Sequence, residues 1–367
     1  MYDFVVVGSG LFGSVFTQKA IEAGNKVLVV EQREHIAGNC YSENIGGIEV
    51  HKYGPHIFHC SSEKIWNYVN KFAKFNHFTN RPKVTFGDKI YSFPINMMTL
   101  YQMWGVKTPA EAAMKLESVR YKIEKPTNFE EWVLSQVGKE IYETFFEGYT
   151  RKQWGKSPED LPAGIAKRIP IRLTWDDNYF NDQYQGIPIG GYTQMFRNML
   201  EGAEVQLGVD FFKERATLEN LGKRIVYTGK VDQFFNYVYG DLEYRSLRFD
   251  TKQLNVVNYQ GIAQMNHTSI DVPYTRTTEH RHFEFDLDES KKTVVTWEYP
   301  IQWDRNQVPY YPVNDSANNS LYQKYDDLKS KAEDSKRYIF GGRLASFKYY
   351  DMHQVIGEAL ATWTRIC

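Results

Sequence analysis

The chain opens on short apolar runs separated by a helical period. Asp3-Phe4-Val5-Val6-Val7 is an apolar run of strand length, and it leads into Gly8-Ser9-Gly10-Leu11-Phe12-Gly13. A helical spacing follows through Ala23-Gly24. A second apolar run, Lys26-Val27-Leu28-Val29-Val30, is closed by Glu31. Strand, glycine turn, helix, strand and acid in that order predict a dinucleotide-binding βαβ unit. Gly8 allows the tight turn, Gly10 lets a pyrophosphate approach the backbone, and Gly13 lets the helix pack closely on the sheet. The helix start at Leu11 and Phe12 offers unpaired N–H groups and a partial positive charge. Glu31, eighteen residues after Gly13, stands where a carboxylate accepts from a ribose diol, and an acid there disfavours a 2′-phosphate.

The pattern then changes several times. Tyr41 to Glu49 alternates around Gly46-Gly47 and predicts a hairpin. A helix follows Ser61 or Ser62 as N-cap, with Ile65, Trp66, Val69 and Phe72 on its apolar face. Strands are predicted on either side of the Gly87-Asp88 turn. From Met97 to Lys156 the period is helical, with Thr108 capping a helix that has Pro109 at its first position. Further helices are predicted from Asn128 and over Gly138–Tyr149. After Gly186–Gly191 come a helix over Tyr192–Leu200, a strand over Glu204–Leu207 and an apolar run at Ile225–Tyr227. Leu242–Val257 and His267–Trp297 read as strands of an antiparallel sheet. Leu321–Ala332 reads as an exposed helix. Tyr338–Phe340, Gly341-Gly342 and a last helix through Trp363 return to the nucleotide fold.

The expected fold class is therefore α/β: a Rossmann-like FAD-binding domain with an inserted helical domain and an antiparallel β-sheet domain. The expected boundaries are 1–78, 186–240 and 335–367 for the first domain. They are 95–160 for the helical domain, and 79–94, 161–185 and 241–334 for the sheet domain that carries substrate. A nucleotide domain assembled from three separated segments favours a buried FAD over an exchanging NAD. So does the motif's place at the start of the chain. The extension after Glu31, from Gln32 through Gly38 and Asn39, resembles the region of amine-oxidase-type flavoproteins that passes along the bound dinucleotide.

Composition sharpens this. The chain has 367 residues with 42% hydrophobic content, enough for two or three domains. A net charge of −1 gives no bulk field for nucleic acid or an anionic membrane, so an anion must be held by local Arg and Lys. Aromatic content of 16% suits a cleft that stacks flat ligands. Cys40, Cys60 and Cys367 fit no zinc spacing and are odd in number, which predicts a reduced, cytoplasmic protein. Neither a signal peptide nor a membrane-spanning run is expected.

Two stretches carry candidate chemistry. His51-Lys52-Tyr53-Gly54-Pro55-His56-Ile57-Phe58-His59 is dense in imidazoles. Its spacing suits no single helical face and Gly-Pro breaks a helix, so a loop facing an aromatic cofactor is predicted, and no metal. Lys167-Arg168-Ile169-Pro170-Ile171-Arg172 places two Arg in a loop rich in Pro and Gly, a candidate mobile anion clamp. Charged hydrogen bonds of this kind contribute roughly 1.5–3 kcal/mol each.

Over its whole length the chain resembles the bacterial UDP-galactopyranose mutases. The matching stretches are Val7–Gly13, His51–His59, Gly148–Gly155, Lys167–Arg172, Asp177–Tyr179, Gly186–Tyr192, Tyr274–His280, Pro309–Asn314 and Phe340–His353. The resemblance implies a cytoplasmic homodimer that binds FAD, active in its reduced form. It implies interconversion of UDP-galactopyranose and UDP-galactofuranose for surface polysaccharide biosynthesis. The route implied is a covalent flavin N5–sugar adduct, with UDP leaving and returning. The implied catalytic residues are Arg168 and Arg276 over the diphosphate, with His56 and His59 beside the flavin. Tyr311 and Tyr349 match phosphate-binding phenols, Tyr149 and Tyr179 match substrate-site tyrosines, and Trp154 matches a ring stacked on uracil. Asn80, Phe145, Phe146, Thr150, Gln153 and Asn266 complete the implied substrate pocket. Gly342, Arg343, Tyr349, Asp351 and Met352 match the flavin-side loop, with Asp351 also on the substrate side. Pro55, where a small residue is expected, leaves UDP-N-acetylgalactopyranose as an alternative substrate. An amine-oxidase-type oxidoreductase and a non-catalytic FAD- or UDP-sugar-binding protein are the competing classes.

Overall fold

The computed structural model describes residues 1–166, 170–285 and 291–366. Lys167, Arg168, Ile169 and Cys367 therefore lie outside the described residues.

Three distant parts of the chain build one parallel sheet. Its strand order is Tyr338–Phe340, Gly222–Tyr227, Tyr2–Val7, Val27–Val30 and Glu204–Gln206. Every neighbouring pair is parallel. Parallel strands need crossovers, and helix Leu11–Glu22 supplies the first. That helix is buried along most of its length against the last helix, Met352–Ile366. Phe4, Phe16 and Trp363 meet edge to face across this layer. The chain's two ends are thus packed into one core.

A second sheet has seven strands. Their order is Tyr311–Pro312, Tyr244–Leu254, Thr293–Gln302, Arg276–Glu279, Gln264–His267, Lys83–Phe86 and Lys89–Ser92. It is antiparallel except at one place, where Gln264–His267 runs parallel to Lys83–Phe86. That pair joins segments far apart in sequence, so no hairpin turn announces it.

The helical insertion packs on the near end of this sheet through Val84, Phe93, Leu100, Leu116, Val133 and Phe145. Its caps form at the expected residues. Thr108 closes a capping box with Glu111, and Asn128 accepts from Glu131 N–H. The helix expected over Gly138–Tyr149 differs. Gly138 adopts φ +76° and breaks the first helix, Phe129–Ile141. Residues Tyr142–Glu147 then form a π-helix, and Gly148–Trp154 returns to α. A Cβ at Gly138 would crowd the carbonyl of Val119, so the glycine is required by the packing. π-Helical turns are rare and recur at functional sites, because they rotate the side chains that follow. Among the described residues no helix is long and apolar enough to cross a membrane.

Candidate active site

A cleft of about 1280 Å³ lies where the nucleotide fold, the helical insertion and the seven-stranded sheet meet. That is larger than one drug-sized ligand requires.

The nucleotide side begins at the glycine turn. Gly8 has φ +103°, and a Cβ there would collide with Thr228. One at Gly13 would collide with the carbonyl of Gly8. Gly10 is different: a Cβ would meet only the Cα of Gly38, at 4.0 Å. The protein's own packing does not require glycine at position 10, so the requirement points to something laid against that backbone. Helix Leu11–Glu22 has no side-chain cap at its start, which leaves its first N–H groups open to an anion. Glu31 is buried and accepts from Ser9 N–H (3.0 Å), the Ser9 hydroxyl (2.8 Å) and Arg33 N–H (3.1 Å). A carboxylate has about four acceptor sites, so one remains for a ribose hydroxyl. Arg33 donates from one Nη to Asn39 at 2.9 Å, while its other Nη is buried without a partner. These features fit a dinucleotide such as FAD. Gln32 is exposed and does not line the cleft. Gly342 packs against Phe12 and donates to Glu358.

Further along, Asn39, His56, Arg343, Asp351 and Met352 line the cleft. Arg343 is fixed by donating to the carbonyls of Tyr310 (3.2 Å) and Tyr350 (2.6 Å). The histidines of the 51–59 stretch do not converge. His56 N–H donates to His51 Nδ1 at 3.1 Å, and His56 Nδ1 bonds the Gly54 carbonyl at 2.8 Å. A carbonyl only accepts, so Nδ1 carries the proton and Nε2 is the free acceptor. Burial, with Arg343 and Arg276 nearby, pulls the His56 pKa down to about 4. His59 Nδ1 meets Asp182 Oδ2 at 2.6 Å and its ring stacks on Phe180. One ligand atom each of His59, Asp351 and His353 lie within 4.8 Å of one another.

The opposite wall is aromatic and cationic. The π-helix contributes Phe145 and Phe146, and the following α-helix contributes Tyr149, Thr150, Gln153 and Trp154. Asn80 and Asn266 come from the sheet side. Arg276 stands at the start of its strand and donates to Glu298 at 2.9 Å, while its Nε is buried without a partner. Tyr311 and Tyr349 stack on each other at 5.2 Å. Burial raises the phenol pKa values of Tyr149 and Tyr311, so both remain protonated donors. Protonated phenols beside a guanidinium form a wall of donors, suited to a diphosphate.

Comparisons with known proteins decide between the classes this cleft permits. The family model described as UDP-galactopyranose mutase matches residues 144–349. A Rossmann-like NAD(P)-binding domain model matches residues 6–72. The chain is 40% identical to the probable UDP-galactopyranose mutase of Klebsiella pneumoniae, over 98% of this chain and 93% of that one.

The chain belongs to the UDP-galactopyranose mutase family.

It is 39% identical to the dTDP-fucopyranose mutase of Escherichia coli, over 98% of this chain and 97% of that one. A crystal structure of reduced UDP-galactopyranose mutase superposes with a TM-score of 0.76 at 13% identity, covering 100% of this chain and 95% of that one, which speaks to the fold. The chain is thus an enzyme of the mutase family on a flavoenzyme-type fold.

Within this mutase-family cleft, residues expected from the sequence converge from every segment. Arg168 lies outside the described residues, and the expected cofactor residues Gly8, Gly10, Leu11, Phe12, Gly13, Glu31, Gln32, Gly38 and Gly342 do not line the cleft itself. Arg172, the other half of the expected clamp, does not line the cleft. It donates to the Asn178 carbonyl and the Asn181 side chain, folding its own loop. Three participants were not anticipated. Glu298, only 2% exposed, holds Arg276. Asp182 holds His59 and also accepts from Ser61. Gln264 accepts from Asn80 at 3.2 Å. Of these only Glu298 left a signal, as an acid inside the apolar strand run Thr293–Tyr299.

Proposed function

We propose that this mutase-family enzyme interconverts UDP-galactopyranose and UDP-galactofuranose, with reduced FAD as cofactor, for galactofuranose-containing surface glycans. The observation that carries the reading is the juxtaposition across one cleft. A glycine turn built for a dinucleotide leads to one wall, and Arg276 with a buried, unpartnered Nε stands on the other. Reduced flavin, when bound, supplies an N5 nucleophile for the anomeric carbon. The chain's residues do the rest. Arg276, with Arg168 from its loop, takes the negative charge of the departing diphosphate. Tyr149, Tyr311 and Tyr349 donate to its oxygens. Trp154 and Phe146 hold the base, so UDP stays in place to return. Neutral His56 presents an acceptor rather than an acid. Closure of the Arg168 loop excludes water from the open sugar. The same reading carries a cytoplasmic homodimer, with free, buried thiols at Cys40 and Cys60 in keeping with a reducing compartment.

A second reading rests on the fucopyranose relative: a thymidine nucleotide of a 6-deoxyhexose as substrate. The experiment is chromatographic turnover of UDP-galactofuranose by the yellow protein, with and without dithionite. UDP-galactopyranose formed only with reductant is the expected result. No turnover of it, with turnover of dTDP-fucopyranose or UDP-N-acetylgalactosamine in parallel arms, replaces the sugar and keeps the mutase. Substrate consumed with flavin reoxidation in place of isomerisation would overturn the reading.

A further inference from the structure

Lys152 lies in sequence between the cleft residues Thr150 and Gln153, yet it does not line the cleft. Its Nζ donates to four backbone carbonyls: His267 (2.7 Å), Ser269 (2.8 Å), Val272 (2.9 Å) and Tyr274 (3.1 Å). No carboxylate pairs with it among the described residues. The His267 carbonyl ends strand Gln264–His267, and the other three belong to the connection from there to Arg276–Glu279. Asn266 and Arg276 bracket that connection, are register partners, and both line the cleft. Two more contacts dock the same loop on the same helices. The Thr268 hydroxyl donates to the Thr144 carbonyl at 2.6 Å. Gly148 lets the helix press so closely that a Cβ would collide with the Thr268 carbonyl.

Four carbonyl dipoles aimed at one point repel one another unless a cation sits there. A compact ammonium with three rotatable donors fills such a cage better than a planar guanidinium. The loop is therefore wound around the charge, and the charge is carried by the helix that presents Tyr149, Gln153 and Trp154. We propose that Lys152 is a positioning residue: its ammonium fixes the span between the nucleobase wall and Arg276, and so matches the cleft to a nucleoside diphosphate. This rests on the nucleotide-sugar reading above. A ligand that touches only the base wall does not sense the span, whereas one that reaches from base to Arg276 does.

The test uses the flavin-loaded enzyme and calorimetric titration with UDP and with uridine. In Lys152→Met, UDP affinity is expected to fall at least tenfold while uridine affinity stays within twofold and flavin content is unchanged. In Lys152→Ala, propylammonium chloride is expected to restore at least half of the lost UDP affinity, and sodium chloride at equal ionic strength none. Thr268→Val removes one anchor without emptying the cage, and a fall of about threefold for UDP alone is expected; it carries the test if the Lys152 variants do not fold. Wild-type-like UDP binding in the folded variants would overturn the inference. An equal loss for UDP and uridine would also overturn it, because Lys152 would then merely hold the helix. A wild-type enzyme that binds uridine but not UDP, or neither, would sink the nucleotide-sugar reading itself.

Discussion

The glycine turn at Gly8–Gly13 and the wall around Arg276 are held by different means. The turn is local. Its shape is written in one stretch of chain, where a Cβ on Gly13 would strike the Gly8 carbonyl, and Thr228 from a neighbouring strand only closes the space beside Gly8. The Arg276 wall is assembled over distance. Arg276 relies on Glu298, Asn80 on Gln264, and His59 on Asp182, each partner coming from another segment. The first wall binds by shape and backbone dipoles; the second binds by charge that must itself be held in place.

If that contrast is right, damage to the second wall abolishes chemistry and spares the cofactor. Arg276→Ala is expected to lower turnover about a thousandfold, roughly 4 kcal/mol of transition-state stabilisation, with flavin content unchanged. The same is expected of Arg168→Ala. Turnover and flavin absorbance measured on one preparation check this, and wild-type turnover in either variant would remove that arginine from the site.

Damage to the first wall separates fold from cofactor. Gly13→Ala pushes a methyl into the Gly8 carbonyl and is expected to cost about 3 kcal/mol of stability, with loss of flavin. Gly10→Ala meets nothing closer than 4.0 Å. It is expected to keep its thermal midpoint within about 2 °C while the protein purifies colourless. Equal flavin content in Gly10→Ala and the wild type would show that no ligand lies against that backbone.

The first wall was legible because its grammar is contiguous: strand, glycines, helix and acid follow one another from Asp3 to Glu31. Residues of the second wall were legible mostly by family resemblance, since Tyr311, Trp154 or Asn266 has no local signature of its own. Of their partners only Glu298 left a trace, as an acid inside an apolar strand run. Asp182 sits in a polar loop that could face anything, and Gln264 is one polar residue in a short strand. The π-helix over Tyr142–Glu147 escaped for a related reason. Gly138 marks a helix boundary in the sequence, but nothing local announces the wider turns that follow it.

Between the walls lies a seam of imidazoles that acid should open, His51 and His280 buried and His56 half-buried at the cleft. His51, His56 and His280 are all held neutral by burial, His56 near pH 4 and His280 near 3. An unfolded histidine protonates near 6.5. As pH falls below 6.5 the unfolded chain therefore takes up protons that the folded seam refuses, and stability drops until the folded pKa is reached. Above 6.5 this contribution is fully present and flat. His56 alone is expected to account for a loss on the order of 3 kcal/mol between pH 6.5 and 4. Urea midpoints across that range check it, and His56→Gln is expected to flatten the slope.

The smallest expected effect lies where the second wall meets the segment after Arg168. Asp182 closes the segment that follows Arg168, accepting from His59 and from Ser61. Strand Tyr184–Gly186 then pairs with Phe58–Cys60 and returns the chain to the nucleotide fold. Ser61 and His59 pull the Asp182 carboxyl below its usual range against the opposing cost of burial, so Asp182 is a carboxylate at neutral pH. Asp182→Asn keeps the shape and one acceptor but removes the charge. A loss of about 1 kcal/mol is expected, with kcat nearly unchanged, a few-fold rise in KM for the sugar nucleotide and faster proteolysis between Arg172 and Asp182. A fall in kcat with unchanged KM would mean that Asp182 acts on the chemistry through His59. The distinction matters because His59 faces Asp351 and His353 across the cleft floor. An anchor and a proton-handling pair would look alike in a static structure, but only the anchor leaves turnover at saturation untouched.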